Sequence, residues 1–100
     1  MTREEYRNHV HNIVDLVMDI QEASTDETYP RAGIDLYPFG CVAEVWIESR
    51  PRKMKGYSFS YPKRAGDIKP EEIIEMLQKI KAELDKKKSS ASDQTRTELN

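Results

Sequence analysis

The side chains that could support catalysis in this sequence are two histidines, one cysteine and a scatter of carboxylates. His9 and His11 lie two residues apart in a segment of helical periodicity, so their side chains are separated by about 200° around the helix axis. They therefore cannot coordinate the same metal ion from that helix. Cys41 has no evident histidine partner, and the sequence contains no glycine-rich phosphate loop. We therefore expect no metal site, no cofactor and no catalytic residues.

Two arrangements of carboxylates bear some likeness to catalytic sites. Asp35 followed by Glu44-Val45-Trp46 has loosely the spacing of a nuclease core with two metal-binding carboxylates, but Trp46 stands where such cores carry a lysine. That lysine would position or stabilise the reacting water and phosphate. Glu44 and Glu48 share one face of a predicted strand and could form an acid–base pair, although surface glutamates four residues apart are commonplace. The sequence thus favours a protein that is not an enzyme.

Composition narrows the class of protein. The 100 residues, 37% hydrophobic and 34% charged with a net charge of −2, fit a single soluble domain. Charge is unevenly spread, because residues 1–29 carry 2 basic and 7 acidic side chains whereas residues 30–66 carry 7 basic and 3 acidic. One cysteine excludes an internal disulfide framework, and we find neither a secretory leader nor a long apolar run. We therefore expect a cytoplasmic protein.

The sequence predicts two amphipathic helices. Thr2 and Glu5 have the spacing of a capping box, and the first helix is expected to run to about Ala23. Its apolar stripe comprises Tyr6, Val10, Ile13, Val14, Val17 and Ile20. The second helix begins at Pro70, which suits a first helical position. Its stripe comprises Ile73, Leu77, Ile80 and Leu84, widened by Ile74 and Met76. The polar residues 89–100 are expected to form a disordered tail.

Three strands are predicted between the helices. The first is a short segment, 34–37, and the second and third are 41–48 and 57–61, which alternate in period 2. A six-residue basic loop, 50–55, would join the last two. We therefore predict an α+β fold: a two-layer sandwich of order α-β-β-β-α, in which two helices pack on one face of a three-stranded antiparallel meander. A single domain would cover residues 1–88.

The strand faces follow in part from the alternation. Ala43, Val45 and Ile47 are expected to meet the helices, which places Trp46 on the opposite face. A six-residue loop does not fix the hairpin register, so the sequence leaves open which face carries Tyr57, Phe59 and Tyr61.

Three surfaces are candidates for binding. The first is basic and would contact phosphates or an acidic protein groove, or would simply be a solvated hairpin tip; it comprises Arg50, Arg52, Lys53, Lys55, Lys63 and Arg64. The second is Trp46 between Glu44 and Glu48, either an aromatic anchor at a protein interface or a side chain covered by a tail, loop or dimer partner. Those carboxylates argue against a base-stacking platform. The third is the acidic side of the first helix, with Asp15, Asp19 and Glu22.

The predicted element order resembles that of double-stranded RNA-binding domains. Those domains bind the RNA backbone partly through a basic start of the last helix, whereas here Pro70-Glu71-Glu72 would repel phosphate. The resemblance is therefore one of topology, from which function does not follow.

In size and charge segregation the chain also resembles small proteins encoded by phages and mobile elements, some of which, anti-CRISPR proteins among them, are stoichiometric inhibitors of host defence nucleases. That resemblance implies an inhibitor that would use the acidic side of the first helix as a phosphate mimic. We accordingly predict a small non-catalytic protein-binding module of unidentified partner. The alternatives are a nucleic-acid-associated module acting through the basic loop, and an accessory subunit of an enzyme. No membrane partner is expected, and homodimerisation is left open because the meander has a free edge.

Overall fold

A computed structural model gives the order helix, three strands, helix. The elements are α1 Arg3–Ala23, β1 Arg31–Leu36, β2 Cys41–Arg50, β3 Lys53–Tyr61 and α2 Pro70–Leu99. The structure describes residues 1–24, 29–37 and 40–99, with side chains in these ranges described as far as residue 86. The predicted α-β-β-β-α order is confirmed. The backbone of α2 continues through residues 89–99, where the sequence predicted a disordered tail; the side chains of this segment lie outside the described residues, and its disorder stays a prediction.

Helix α1 begins with the predicted capping box. The Thr2 hydroxyl accepts a hydrogen bond from the Glu5 N–H, and the Glu5 carboxylate accepts one from the Thr2 N–H, each at 3.1 Å. The hydrogen bond that the Thr2 N–H donates to the Glu5 carboxylate is the main cause of a lowered pKa at Glu5, and the nearby Thr2 side chain adds to it. The predicted stripe is buried at Tyr6, Val10, Ile13, Val17 and Ile20.

The three strands form one antiparallel sheet in the order β1-β2-β3. Ala43 lies opposite Phe59, and Val45 lies opposite Tyr57. Directly opposite residues share a face, so the β3 aromatic residues lie on the same side as Ala43, Val45 and Ile47. This register settles the question that the sequence left open. Phe59 is 1% exposed beneath the helices, whereas Tyr61 at the strand end is 37% exposed.

The strand boundaries differ from the predictions in β1 and at the hairpin between β2 and β3. Strand β1 begins at Arg31 rather than Ile34, because Gly33 does not break the ladder but pairs with Trp46. The six-residue hairpin loop is wrong as well, since β2 and β3 extend until only Pro51 and Arg52 form the turn. Proline fixes its own φ, and Arg52 supplies the positive φ of 67° that a tight turn of this kind needs at its second position.

Helices α1 and α2 lie side by side and run parallel, because an odd number of strands separates them. Two side-chain contacts show the alignment: His9 Nε2 lies 3.5 Å from a Glu71 carboxylate oxygen, and Lys81 Nζ donates to Asp19 at 2.9 Å. Both pairs join positions 62 residues apart, so the helices stay in step over this stretch. The core between helices and sheet is made of residues that are 1% exposed or less: Ile13, Ile20, Ala32, Ala43, Val45, Phe59, Ile73 and Leu77.

The loop after β3 folds back along the outer edge of that strand. The Ile68 N–H donates to the Ser58 carbonyl at 3.0 Å. The Asp67 carboxylate accepts hydrogen bonds from the hydroxyls of Ser58 (3.2 Å) and Ser60 and from the Arg64 N–H (2.8 Å). Burial raises the pKa of Asp67, but these hydrogen bonds, with that from Ser60 the largest, outweigh burial and lower it. One edge of the sheet is therefore partly covered by its own chain.

Candidate functional site

The face of the sheet turned away from the helices, here called the open face, is centred on Trp46. In the register Trp46 stands between Gly33 of β1 and Gly56 of β3, so no neighbouring side chain rises on either side of it. A Cβ built on Gly33 would lie 2.1 Å from Cζ2 of the indole. The ring therefore lies over Gly33 of β1 and is half-buried, although it belongs to the face opposite Val45.

Three carboxylates surround this indole on the open face. Asp35 and Glu44 lie directly opposite each other in β1 and β2, and Glu48 lies opposite Arg31. The Tyr37 hydroxyl donates a hydrogen bond of 2.6 Å to Glu44, and this bond raises the pKa of Tyr37. Like charges placed directly opposite each other in a sheet repel. The open face therefore offers a flat aromatic surface with an acidic rim that a cation would relieve.

The pairing of Asp35 with Glu44 does not extend to a metal centre. Among the described residues, no group of three or more His, Cys, Asp or Glu side chains is arranged to hold a metal ion. Glu44 already accepts a hydrogen bond from Tyr37. The position at which the nuclease pattern requires a lysine is occupied by Trp46, whose ring lies over Gly33. The arrangement is suited to contact with another molecule's cations.

The structure does not gather the six predicted cations into one cluster. The hairpin tip, residues 50–55, is exposed throughout, and Lys55 Nζ lies 5.4 Å above the Tyr57 ring. Lys63 and Arg64 follow the opposite end of β3, about 20 Å from Lys55 at about 3.3 Å per strand residue. The six cations that the sequence grouped as one candidate surface therefore form two separate groups, because a regular strand lies between them.

The acidic side of α1 is also only partly available. Asp15 and Glu22 are exposed, but Asp19 accepts the Lys81 ammonium of α2. The hydrogen bond to Asp19 is the main cause of a raised pKa at Lys81. The predicted set of three acidic groups thus includes one whose charge is offset within the fold.

A groove of about 690 Å³ opens where the N-terminal ends of both helices meet the end of β3. His9 lines it, and the Nδ1 atom of its ring is buried without a hydrogen-bond partner. The acids of the groove are each engaged: Glu5 in the helix cap, Glu71 beside His9 and Asp67 with two serines. For His9 and a carboxylate of the groove to act as a catalytic acid–base pair, that carboxylate would first have to leave its present hydrogen-bond partner.

Several residues of these surfaces were not found from the sequence. Isolated glycines inside strands signal a close approach of other groups, and Gly33 and Gly56 on either side of Trp46 fit that rule. Tyr37 and Asp67 carried no such local signal, because each lies in a connection outside the strands, and the path that brings it to its strand partners depends on the finished fold.

The comparisons with known proteins add no relative. No family model matches the chain, and neither curated proteins nor solved structures include a significant match. Over the residues described, neither helix combines the length with the apolar character needed to cross a bilayer.

Proposed function

We propose that this protein is a small non-catalytic module that binds another protein through the open face of its sheet. The observation that carries the proposal is the Trp46 indole lying directly over Gly33 within a rim of carboxylates. Tryptophan is enriched among the few residues that dominate binding energy at protein interfaces. A ring already packed against the backbone beneath it loses little freedom on binding, which favours affinity.

The charges of the open face define the chemistry of the partner. The strand residues of this face include three carboxylates, Asp35, Glu44 and Glu48, and the cation Arg31. A partner with a basic surface would offset the repulsion between Asp35 and Glu44. A stoichiometric inhibitor of an enzyme that binds nucleic acid is one form of such a module, since these enzymes present basic grooves. In that form the open face, rather than the side of α1 that includes the paired Asp19, would replace the phosphates.

A second candidate, a nucleic-acid-associated module, is favoured by one observation. Arg50, Arg52, Lys53 and Lys55 are all exposed at the hairpin tip. Four cations give weak, salt-dependent binding to phosphates when they act without aromatic stacking. The hairpin tip and the open face therefore make separable contributions.

Paired variants of the two surfaces would decide between these functions. We expect the wild-type chain, used as bait in an extract of its native host, to retain a partner that Trp46→Ala loses and that Arg52→Ala/Lys53→Ala keeps. The retained protein, once purified, should bind in a defined ratio and lose affinity on Glu44→Gln. In parallel, the binding of each variant to duplex and single-stranded nucleic acid of arbitrary sequence is measured over a range of salt concentrations. Steeply salt-dependent binding that disappears in Arg52→Ala/Lys53→Ala but survives Trp46→Ala would overturn the proposal.

A further inference from the structure

The outer edge of β1 differs from that of β3. The Tyr37 N–H donates to the Val42 carbonyl at 3.2 Å, which continues the β1–β2 ladder. Counting back in steps of two, Arg31, Gly33 and Asp35 direct their backbone groups toward β2. Ala32, Ile34 and Leu36 therefore direct theirs outward, and Gln21 Nε2 of α1 reaches the outward Ala32 carbonyl at 3.2 Å. The loop that follows β3 bonds to the edge of that strand through Ile68, whereas β1 ends the sheet on its side.

We propose that two copies of this chain associate by antiparallel pairing of their β1 edges, in a register centred on Gly33. In this register Gly33 lies opposite Gly33 of the second copy, and Ala32 lies opposite Ile34. The outward backbone groups of Ala32 and Ile34 would then exchange hydrogen bonds across the axis, with the Ala32 carbonyl using its second lone pair beside the bond from Gln21. Residues on the open face meet residues on the open face, so the two sheets continue as one of six strands.

Charge complementarity selects this register. Arg31 of each copy comes opposite Asp35 of the other, which gives two ion pairs related by the two-fold axis. Arg31 already lies with its guanidinium carbon 4.4 Å above the Tyr29 ring, and its five N–H donors allow more than one contact. Asp35 gains a cation where the single copy gives it Glu44 as its neighbour.

Other registers lose these pairs. Centring on Ile34 would place Asp35 opposite Gly33 and Arg31 opposite Tyr37, so neither charged residue would form an ion pair. A shift of one residue would bring the open face of one copy against the helix-bearing face of the other. The sequence from Arg31 to Asp35 is therefore complementary to itself in one register.

Two apolar side chains fit the same axis. The Trp46 indole lies over Gly33, so opposed glycines would bring the two indoles together on the open face. On the helix side, Met18 is 52% exposed, one turn before Gln21, which reaches the β1 edge. Met18 of each copy would face the other near the axis. These contacts add burial to both layers of the interface.

Charge reversal and recombination test the register. Sedimentation velocity over a range of concentrations should show a reversible dimer for the wild-type chain. Asp35→Arg alone and Arg31→Asp alone should each associate at least about tenfold more weakly, because each places like charges opposite each other. An equal mixture of the two variants should recover a heterodimer, since each Arg then meets an Asp. Because Asp35 also belongs to the open face, the two proposals are distinguished by Ile34→Pro, described next, which changes no side chain of the open face.

A second pair of variants guards against a folding defect in Arg31→Asp. Ile34→Pro removes an outward N–H at a position where an edge strand tolerates proline, and Ile34→Val keeps that donor. We expect the proline variant to be monomeric and the valine variant to dimerise, with circular dichroism reporting that both fold. A wild-type chain that stays monomeric at every concentration would overturn the proposal. So would a dimer that both charge reversals and Ile34→Pro leave unchanged.

Discussion

The indole of Trp46 occupies the space above Gly33 that a side chain there would need. The three atoms nearest to a Cβ built on Gly33 all belong to this ring, at 2.1, 2.2 and 2.6 Å. The nearest neighbour of a Cβ on Gly56, on the other side of Trp46, is a Glu44 carboxylate oxygen at 3.3 Å. The two glycines that flank one tryptophan therefore serve different purposes. Gly33 admits the ring, and Gly56 lies beside the end of a flexible side chain.

Gly33→Ala is expected to lower the free energy of unfolding by about 1–3 kcal/mol, because the new methyl displaces a ring that is packed against the backbone. Gly56→Ala is the matched control and should change stability by less than about 1 kcal/mol, since Glu44 can rotate away. Urea unfolding followed by Trp46 fluorescence and by circular dichroism measures both. Equal losses in the two variants would contradict the close contact.

Asp67→Asn should lower stability by about 1–3 kcal/mol near pH 7, because an amide offers one acceptor oxygen where the carboxylate receives three hydrogen bonds. The pKa of Asp67 is lowered from 3.8, so the folded state prefers the ionised form. This stabilisation is complete above the unfolded value and is lost as pH falls through the lower folded value. The difference between wild type and variant should therefore shrink below about pH 4. Asp35→Asn, at an exposed carboxylate opposite Glu44, is the control and should not destabilise the fold.

Arg52→Gly and Arg52→Ala separate the conformation of the turn from its charge. Both remove one cation from the hairpin tip, but only glycine adopts the positive φ of 67° without strain. Arg52→Gly should therefore be more stable than Arg52→Ala by about 1 kcal/mol, a difference that thermal unfolding resolves. If both variants lose nucleic-acid binding equally, charge rather than turn shape carries that binding. Identical stabilities would show that position 52 does not hold this conformation.

A double-mutant cycle on Asp19 and Lys81 should give a coupling of about 0.2–1 kcal/mol, because both side chains are more than a third exposed. The pair Glu75–Lys79, at 3.7 Å on the exposed side of α2, is the control and should couple by about 0.5 kcal/mol or less. Raising salt should reduce both couplings. A cycle on Asp19 and Lys81 that gives zero would mean that this contact between the helices does not contribute to their alignment.

The sequence was sufficient for the elements because each has a local cause. The capping box at Thr2, the proline at position 70 and the periodic stripes depend on residues a few positions apart. The hairpin register was not predictable, because it depends on a bulge near Ser49 and on a turn that places Arg52 at a positive φ. Neither the bulge nor the positive φ is associated with a residue type that would predict it from the sequence.

The candidate surfaces were harder to predict because they combine residues that are distant in sequence. Trp46 was placed on the correct face by alternation, but its position over Gly33 required the β1–β2 register. The pairing of Asp19 with Lys81 required the relative direction of two helices. Lys63 and Arg64 were grouped with the hairpin loop because the sequence predicted a third strand of 57–61, whereas β3 begins at Lys53 and holds the two groups of cations further apart.

The parallel course of α1 and α2 decides how the unit can be joined to other polypeptides. The chain enters at the capped end beside Thr2 and, after three strands, α2 leads it away toward the end that carries Arg52. A label or fusion attached before α1 would crowd the groove near His9, whereas one attached after α2 would extend from the opposite pole. Units linked in tandem would accordingly line up head to tail instead of doubling back.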